Sequence, residues 1–76
     1  MAEKIVLTRY GQQMLMDELK QLETVERLNV QKDLQAAREL GDLSENAEYE
    51  AAMDYRNRVE ARIQYIRQLL EQAEIG

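Results

Sequence analysis

Two apolar stripes, broken once, govern what this chain can fold into. From Arg9 to Leu40 the apolar residues are Met14, Leu15, Leu19, Leu22, Val25, Leu28, Val30, Leu34, Ala37 and Leu40. After the break, apolar or small residues recur at Ala47, Ala51, Tyr55, Val59, Ile63, Ile66, Leu70 and Ala73. Steps of three and four put each set on one face of a helix. Gly41 stands between them and ends the first helix, because glycine takes the left-handed backbone cheaply. The stripes can be paired in hairpin fashion: Ala37 with Ala51, Leu34 with Tyr55, Val30 with Val59, Val25 with Ile63, Leu22 with Ile66, Leu19 with Leu70, Leu15 with Ala73. The two numbers in each pair then give the same total to within one. A short connection makes neighbouring helices run antiparallel. The sequence therefore predicts an all-α fold, an antiparallel two-helix coiled-coil hairpin with helices about 45 Å long.

Local signals refine this reading. Thr8 is placed to cap the first helix with its hydroxyl. Glu26 and Asn29 interrupt the first stripe, which predicts a shift of packing phase there. Ile5-Val6-Leu7 is a short apolar patch expected to pack beside the first helix, and Glu74-Ile75-Gly76 offers no clear capping device.

Composition removes several functions. The chain of 76 residues, with no proline, makes at most one small helical domain, and its formal net charge of −5 argues against non-specific nucleic-acid binding while leaving room for a local basic strip. It has no cysteine and no histidine. There is thus no disulfide, no thiolate nucleophile, and neither the usual general base nor the usual zinc ligands. Ser44 is the only serine and has no histidine to activate it. No apolar run approaches membrane-spanning length and no signal peptide is visible, so no membrane partner and a cytoplasmic location are expected.

What remains is acid at the break. From Gly41 to Glu50 there are four carboxylates, Asp42, Glu45, Glu48 and Glu50, and no base. One reading is structural: Asp42 as N-cap with Glu45 at the third helical position fits a capping box, and acid at a helix start complements the dipole. A calcium loop fails on spacing, since Ala47 stands where such a loop needs glycine and Met53 where it needs a bidentate glutamate. The other reading is an acidic probe. Two carboxylates at a protruding tip hold Mg2+ weakly until another protein supplies the remaining ligands.

Gly41-Asp42-Leu43-Ser44-Glu45-Asn46-Ala47-Glu48-Tyr49, preceded by Ala37-Arg38-Glu39, closely resembles the tip signature of bacterial Gre transcript cleavage factors. Ala47-Glu48-Tyr49 followed by Ala51-Ala52 is nearer the GreA than the GreB branch. Leu7-Thr8, Gly11, Leu15, Glu18-Leu19 and Leu22 fit the family's opening pattern, and the likeness runs from Leu7 to Ala73. The resemblance implies that residues 1–76 form an N-terminal coiled-coil domain with its tip at 41–46. Such a domain enters the secondary channel of bacterial RNA polymerase. It is not an enzyme itself; it stimulates the polymerase's own cleavage of backtracked nascent RNA near the 3′ end, meeting DNA only indirectly. Carried over by position, Asp42 and Glu45 are the essential acids. They help hold the catalytic Mg2+ jointly with the polymerase, with no tightly bound ion expected in the hairpin alone. Gly41, Leu43, Ser44 and Asn46 shape the tip. The family's C-terminal polymerase-docking domain would begin near Ile75 and is absent from these 76 residues. The family's RNA-contacting basic patch commonly has a base right after the Ala-Ala pair, where this chain has Met53. Arg38, Lys32 and Arg56 are the RNA-contact candidates, against a reading of solvated helix surface. Met14, Met16 and Met53 are expected to pack. Tyr49 and Tyr55 are expected to pack near the tip with wet hydroxyls, and Arg58 and Arg62 to line a solvated face. Two rival functions stand beside this one: a Gre-related inhibitor of the same channel, and a plain helical hairpin that dimerises through its stripe.

Overall fold

The computed structural model describes residues 4–42 and 45–76. In order it contains β1 (Val6–Leu7), α1 (Arg9–Gln21), a π turn (Leu22–Glu26), α2 (Arg27–Glu39), α3 (Ala47–Gln72) and β2 (Glu74–Ile75). Two long helical arms lie side by side in a hairpin-like arrangement. The first arm is α1, the π turn and α2; the second is α3. The molecule measures 52 × 27 × 12 Å with a radius of gyration of 16.5 Å. A compact domain of this length would have about 11 Å, so the chain forms a rod.

Each end of the first arm has an identifiable cause. Thr8 opens α1, its hydroxyl accepting from the Gly11 amide at 2.9 Å, as the sequence predicts. At the far end the helix tightens, with the Leu40 and Gly41 amides donating to the Ala37 and Arg38 carbonyls at 3.2 Å each. Gly41 then takes φ +106°, a conformation that side chains disfavour.

The buried core is a seam between the arms: Val30, Leu34 and Ala37 from α2 against Ala52, Val59, Ile63 and Ile66 from α3. Leu19, Leu22, Tyr49, Met53 and Tyr55 pack against it, half-buried. Ala52 is the buried member of the alanine pair and Ala51 is exposed, one residue from the expected inward position. Val25, Leu28 and Met14 also depart from the expected stripe and are exposed.

The π turn explains part of that departure. The Arg27 amide donates to the Leu22 carbonyl, five residues back, so the helix winds more slowly here. The phase shift that Glu26 and Asn29 signal is this turn, and it carries Val25 outward instead of toward Ile63.

The all-α expectation needs one correction. Val6 pairs with Glu74 and Leu7 with Ile75 in a parallel two-stranded ribbon. The Glu74 amide donates to the Ile5 carbonyl at 2.8 Å and the Gly76 amide to the Leu7 carbonyl at 2.9 Å. The β-branched residues Ile5 and Val6 favour extended backbone, and the pairing ties the two ends of the hairpin together. The segment expected to lie beside α1, and the terminus without a cap, satisfy each other.

Candidate functional site

Among the described residues, Asn46 ties the start of α3 to the last turn of α2. Asn46 is the N-cap of α3, its Oδ1 accepting from the Tyr49 amide at 3.0 Å. Its Nδ2 donates to the Ala37 carbonyl, in the last turn of α2, at 2.7 Å. Asn46 is buried, so one amide group caps the start of one helix and satisfies a carbonyl near the end of the other. An asparagine can do this because it carries both an acceptor and a donor.

For α3 the capping reading is corrected, while Glu45 stands in a 3-10 turn ahead of that helix. Asp42 is not the cap of α3, and Glu45 is not its third residue; α3 begins at Ala47, after both. The acids in the first turn of α3 are Glu48 and Glu50, which complement the helix dipole. Asp42 and Glu45 lie in the connection itself, and both are exposed. Gly41 supplies the bend and Asn46 the staple. Leu43 and Ser44 lie outside the described residues.

Carboxylates are hard oxygen donors of the kind Mg2+ prefers, but Mg2+ takes six ligands in near-octahedral geometry. Among the described residues no group of three or more Asp, Glu, His or Cys side chains is placed to hold a metal ion. Two carboxylates alone would be at most a partial ligand set for such an ion.

The basic candidates divide between surfaces. Arg56 lines a groove between α2 and α3 with Arg27, Val30, Gln31, Leu34 and Glu60. Arg38 follows Leu34 by four residues and Gln31 by seven, so helical spacing puts it on the same stripe. Lys32 lines an adjoining surface with Leu28, Gln31, Gln35 and Glu39, which shares Gln31 with the Arg56 groove. The other groove between α2 and α3 is lined by Asp33, Ala36, Glu48, Ala51 and Ala52. One groove thus carries Arg27, Arg56 and Glu60, and the other carries Asp33 and Glu48.

Cross-arm pairs flank the seam. Arg27 forks onto Glu60 at 2.9 and 2.8 Å, and Arg62 onto Glu18 at 2.6 and 2.9 Å. Arg67 meets Glu23, and the Tyr55 hydroxyl donates to the Glu26 carboxylate. Tyr55 is therefore engaged, not simply wet, and Arg62, which also stands 5.3 Å from the Tyr65 ring centre, is not merely solvated. The guanidinium partners hold the carboxyls of Glu18 and Glu60 below the ordinary carboxylate range. The bond to Glu26 raises the Tyr55 hydroxyl above its usual value. The Asn46 staple and these pairs are what sequence reasoning missed. A buried asparagine at a turn is indistinguishable in sequence from a solvated one, and pairs across the seam need the final register.

Comparison with known proteins gives the following. The family model for GreA and GreB described as "Transcription elongation factor, N-terminal" matches residues 5–75. Transcription elongation factor GreA of Cereibacter sphaeroides is 52% identical over 73 residues, which is 96% of this chain and 47% of that protein. GreA of Lachnoclostridium phytofermentans is 49% identical over 76 residues, 99% of this chain and 48% of that protein. GreA of Thermotoga neapolitana is 47% identical over 73 residues, 96% of this chain and 47% of that protein. The chain spans about half the length of the curated relatives it matches.

Proposed function

The chain belongs to the N-terminal family of GreA and GreB transcription elongation factors, and from that premise we propose that it is the channel-entering arm of a transcript cleavage factor. In this reading the arms run antiparallel and the connection between α2 and α3 is the leading tip of the rod. The rod enters the secondary channel of bacterial RNA polymerase. The tip brings Asp42 and Glu45 to the active centre, where the polymerase cuts the 3′ end of backtracked RNA. The setting is the cytoplasm, where that polymerase works.

The observation that carries this reading is the position of the two acids. They are exposed in the connection, ahead of a helix whose cap is Asn46, inside the nine-residue signature. The division of labour follows from the chemistry. Asn46 and Gly41 fix the shape of the connection. Asp42 and Glu45 would contribute oxygen ligands to a Mg2+ shared with the polymerase, which supplies Lewis-acid activation and a bound water for phosphodiester hydrolysis. Arg38 and Arg56, on one stripe, would lie along the RNA, with Lys32 outside that stripe. The chain alone is not a nuclease; the polymerase supplies the remaining ligands.

The test is a cleavage assay on purified bacterial RNA polymerase stalled with backtracked, end-labelled RNA. Adding the chain should increase the rate of cleavage, and Asp42→Asn or Glu45→Gln should abolish the increase while still competing with the unaltered chain for the polymerase. If the unaltered chain slows cleavage, it is an inhibitor of the channel. If it neither stimulates nor competes at any concentration, the hairpin is an interaction module of another kind.

A further inference from the structure

The π turn has its cause in a count of residues. Along α3 the stripe Ala52, Val59, Ile63, Ile66, Leu70 and Ala73 steps by seven, four, three, four and three, an unbroken heptad pattern. On the facing arm Leu15, Leu19 and Leu22 step by four and three, and so do Val30, Leu34 and Ala37. Between Leu22 and Val30 lie eight steps, where a heptad has seven. In a continuous α-helix one residue in excess turns the far stripe by about 100°. A π turn closes its hydrogen bond one residue later than an α turn and so takes up one residue. It stands at Leu22–Glu26, inside the eight-step interval.

Three cross-arm contacts fall on this turn and its boundary: Glu23 with Arg67, Glu26 with Tyr55, and Arg27 with Glu60. Within it the Thr24 hydroxyl donates to the Lys20 carbonyl at 2.6 Å, a back-bond that competes with regular helix pairing.

We propose that Leu22–Glu26 is a register joint. It holds the one residue by which the first arm exceeds its partner, and the three cross-arm pairs lock it in the π form. The locked joint sets the angle between the ribbon end of the rod and the acidic connection. Straightening to α-helix without losing a residue would turn one end against the other by about 100°. Losing one residue at the joint would leave both ends where they are.

Deletion tests this. Val25 is exposed in the joint, and Gln64 is exposed in the unbroken heptad of α3. Deleting Val25 should give a continuous α-helix with both stripes in register. The Glu74 amide, bonded to the Ile5 carbonyl, should then keep its hydrogen-exchange protection within about threefold of the unaltered chain. Deleting Gln64 should cost that protection tenfold or more, because Ile66, Leu70 and β2 all turn away. Equal losses in the two variants, or a Val25 deletion that unfolds the chain, would overturn the proposal. The lock is tested without deletion. In Glu23→Gln/Glu26→Gln/Arg27→Gln, exchange at the residue 27 amide should quicken about tenfold while the Ile63 and Ile66 amides stay protected. An unchanged residue 27 amide would remove the cross-arm pairs from the proposal.

Discussion

At the scale of single residues, Asn46 fastens the start of α3 to the end of α2. It is buried and makes two hydrogen bonds to backbone groups on different helices. Asn46→Ala removes a helix cap and the shorter of the two hydrogen bonds to the Ala37 carbonyl, leaving it the Leu40 amide at 3.2 Å. Urea denaturation should show a loss of about 1–3 kcal/mol. Asn46→Asp keeps an acceptor for the Tyr49 amide but cannot donate to Ala37 and sets a charge beside that carbonyl, so it too should destabilise. Asp42→Asn and Glu45→Gln behave differently. Both residues are exposed and neither caps α3, and the same measurement should show less than about 1 kcal/mol for each.

At the scale of elements, the seam decides stability. Ile63 and Ile66 are fully buried, at 1% and 0% exposure, whereas Val25 is 42% exposed. Ile66→Ala should cost about 2–5 kcal/mol, and Val25→Ala under about 0.5 kcal/mol. A thermal melt of the two variants separates them. The pairs beside the seam make stability depend on pH. The carboxyls of Glu18 and Glu60 have folded values lowered by Arg62 and Arg27. Their stabilisation is present above the ordinary carboxylate value and is lost as pH falls through the lowered one. The Tyr55 hydroxyl is raised by Glu26, so its contribution is present below the usual tyrosine value and is lost as pH rises through the raised one. Denaturation midpoints should therefore decline below pH 4.5 and above pH 10, modestly, because these groups are solvent-screened. Much of this level was legible in the stripes. Steps of three and four located both arms, and the polar residues Glu26 and Asn29 marked where the phase fails. The pattern could not say how it fails, since amphipathicity records which faces disagree and not which hydrogen bond absorbs the difference. The β1–β2 ribbon was not legible either. Two-residue strands are too short for alternation to register, and their partners are separated by almost the whole chain.

At the scale of the molecule, a rod 52 Å long carries exposed Asp42 and Glu45 in the connection between its arms. The signature around Gly41–Tyr49 pointed to these residues before any geometry. The geometry adds that α3 is capped by Asn46, so capping α3 does not account for the acids at 42 and 45. The most direct measurement is a Mg2+ titration of RNA cleavage by backtracked bacterial RNA polymerase, with saturating chain and with the Asp42→Asn variant. Shared ligation predicts that the unaltered chain shifts half-maximal cleavage to lower Mg2+. It also predicts that Asp42→Asn, which still competes for the polymerase, loses that shift because an amide is a poor, uncharged ligand for this ion. Identical Mg2+ dependence and identical rates for the two chains would contradict the account.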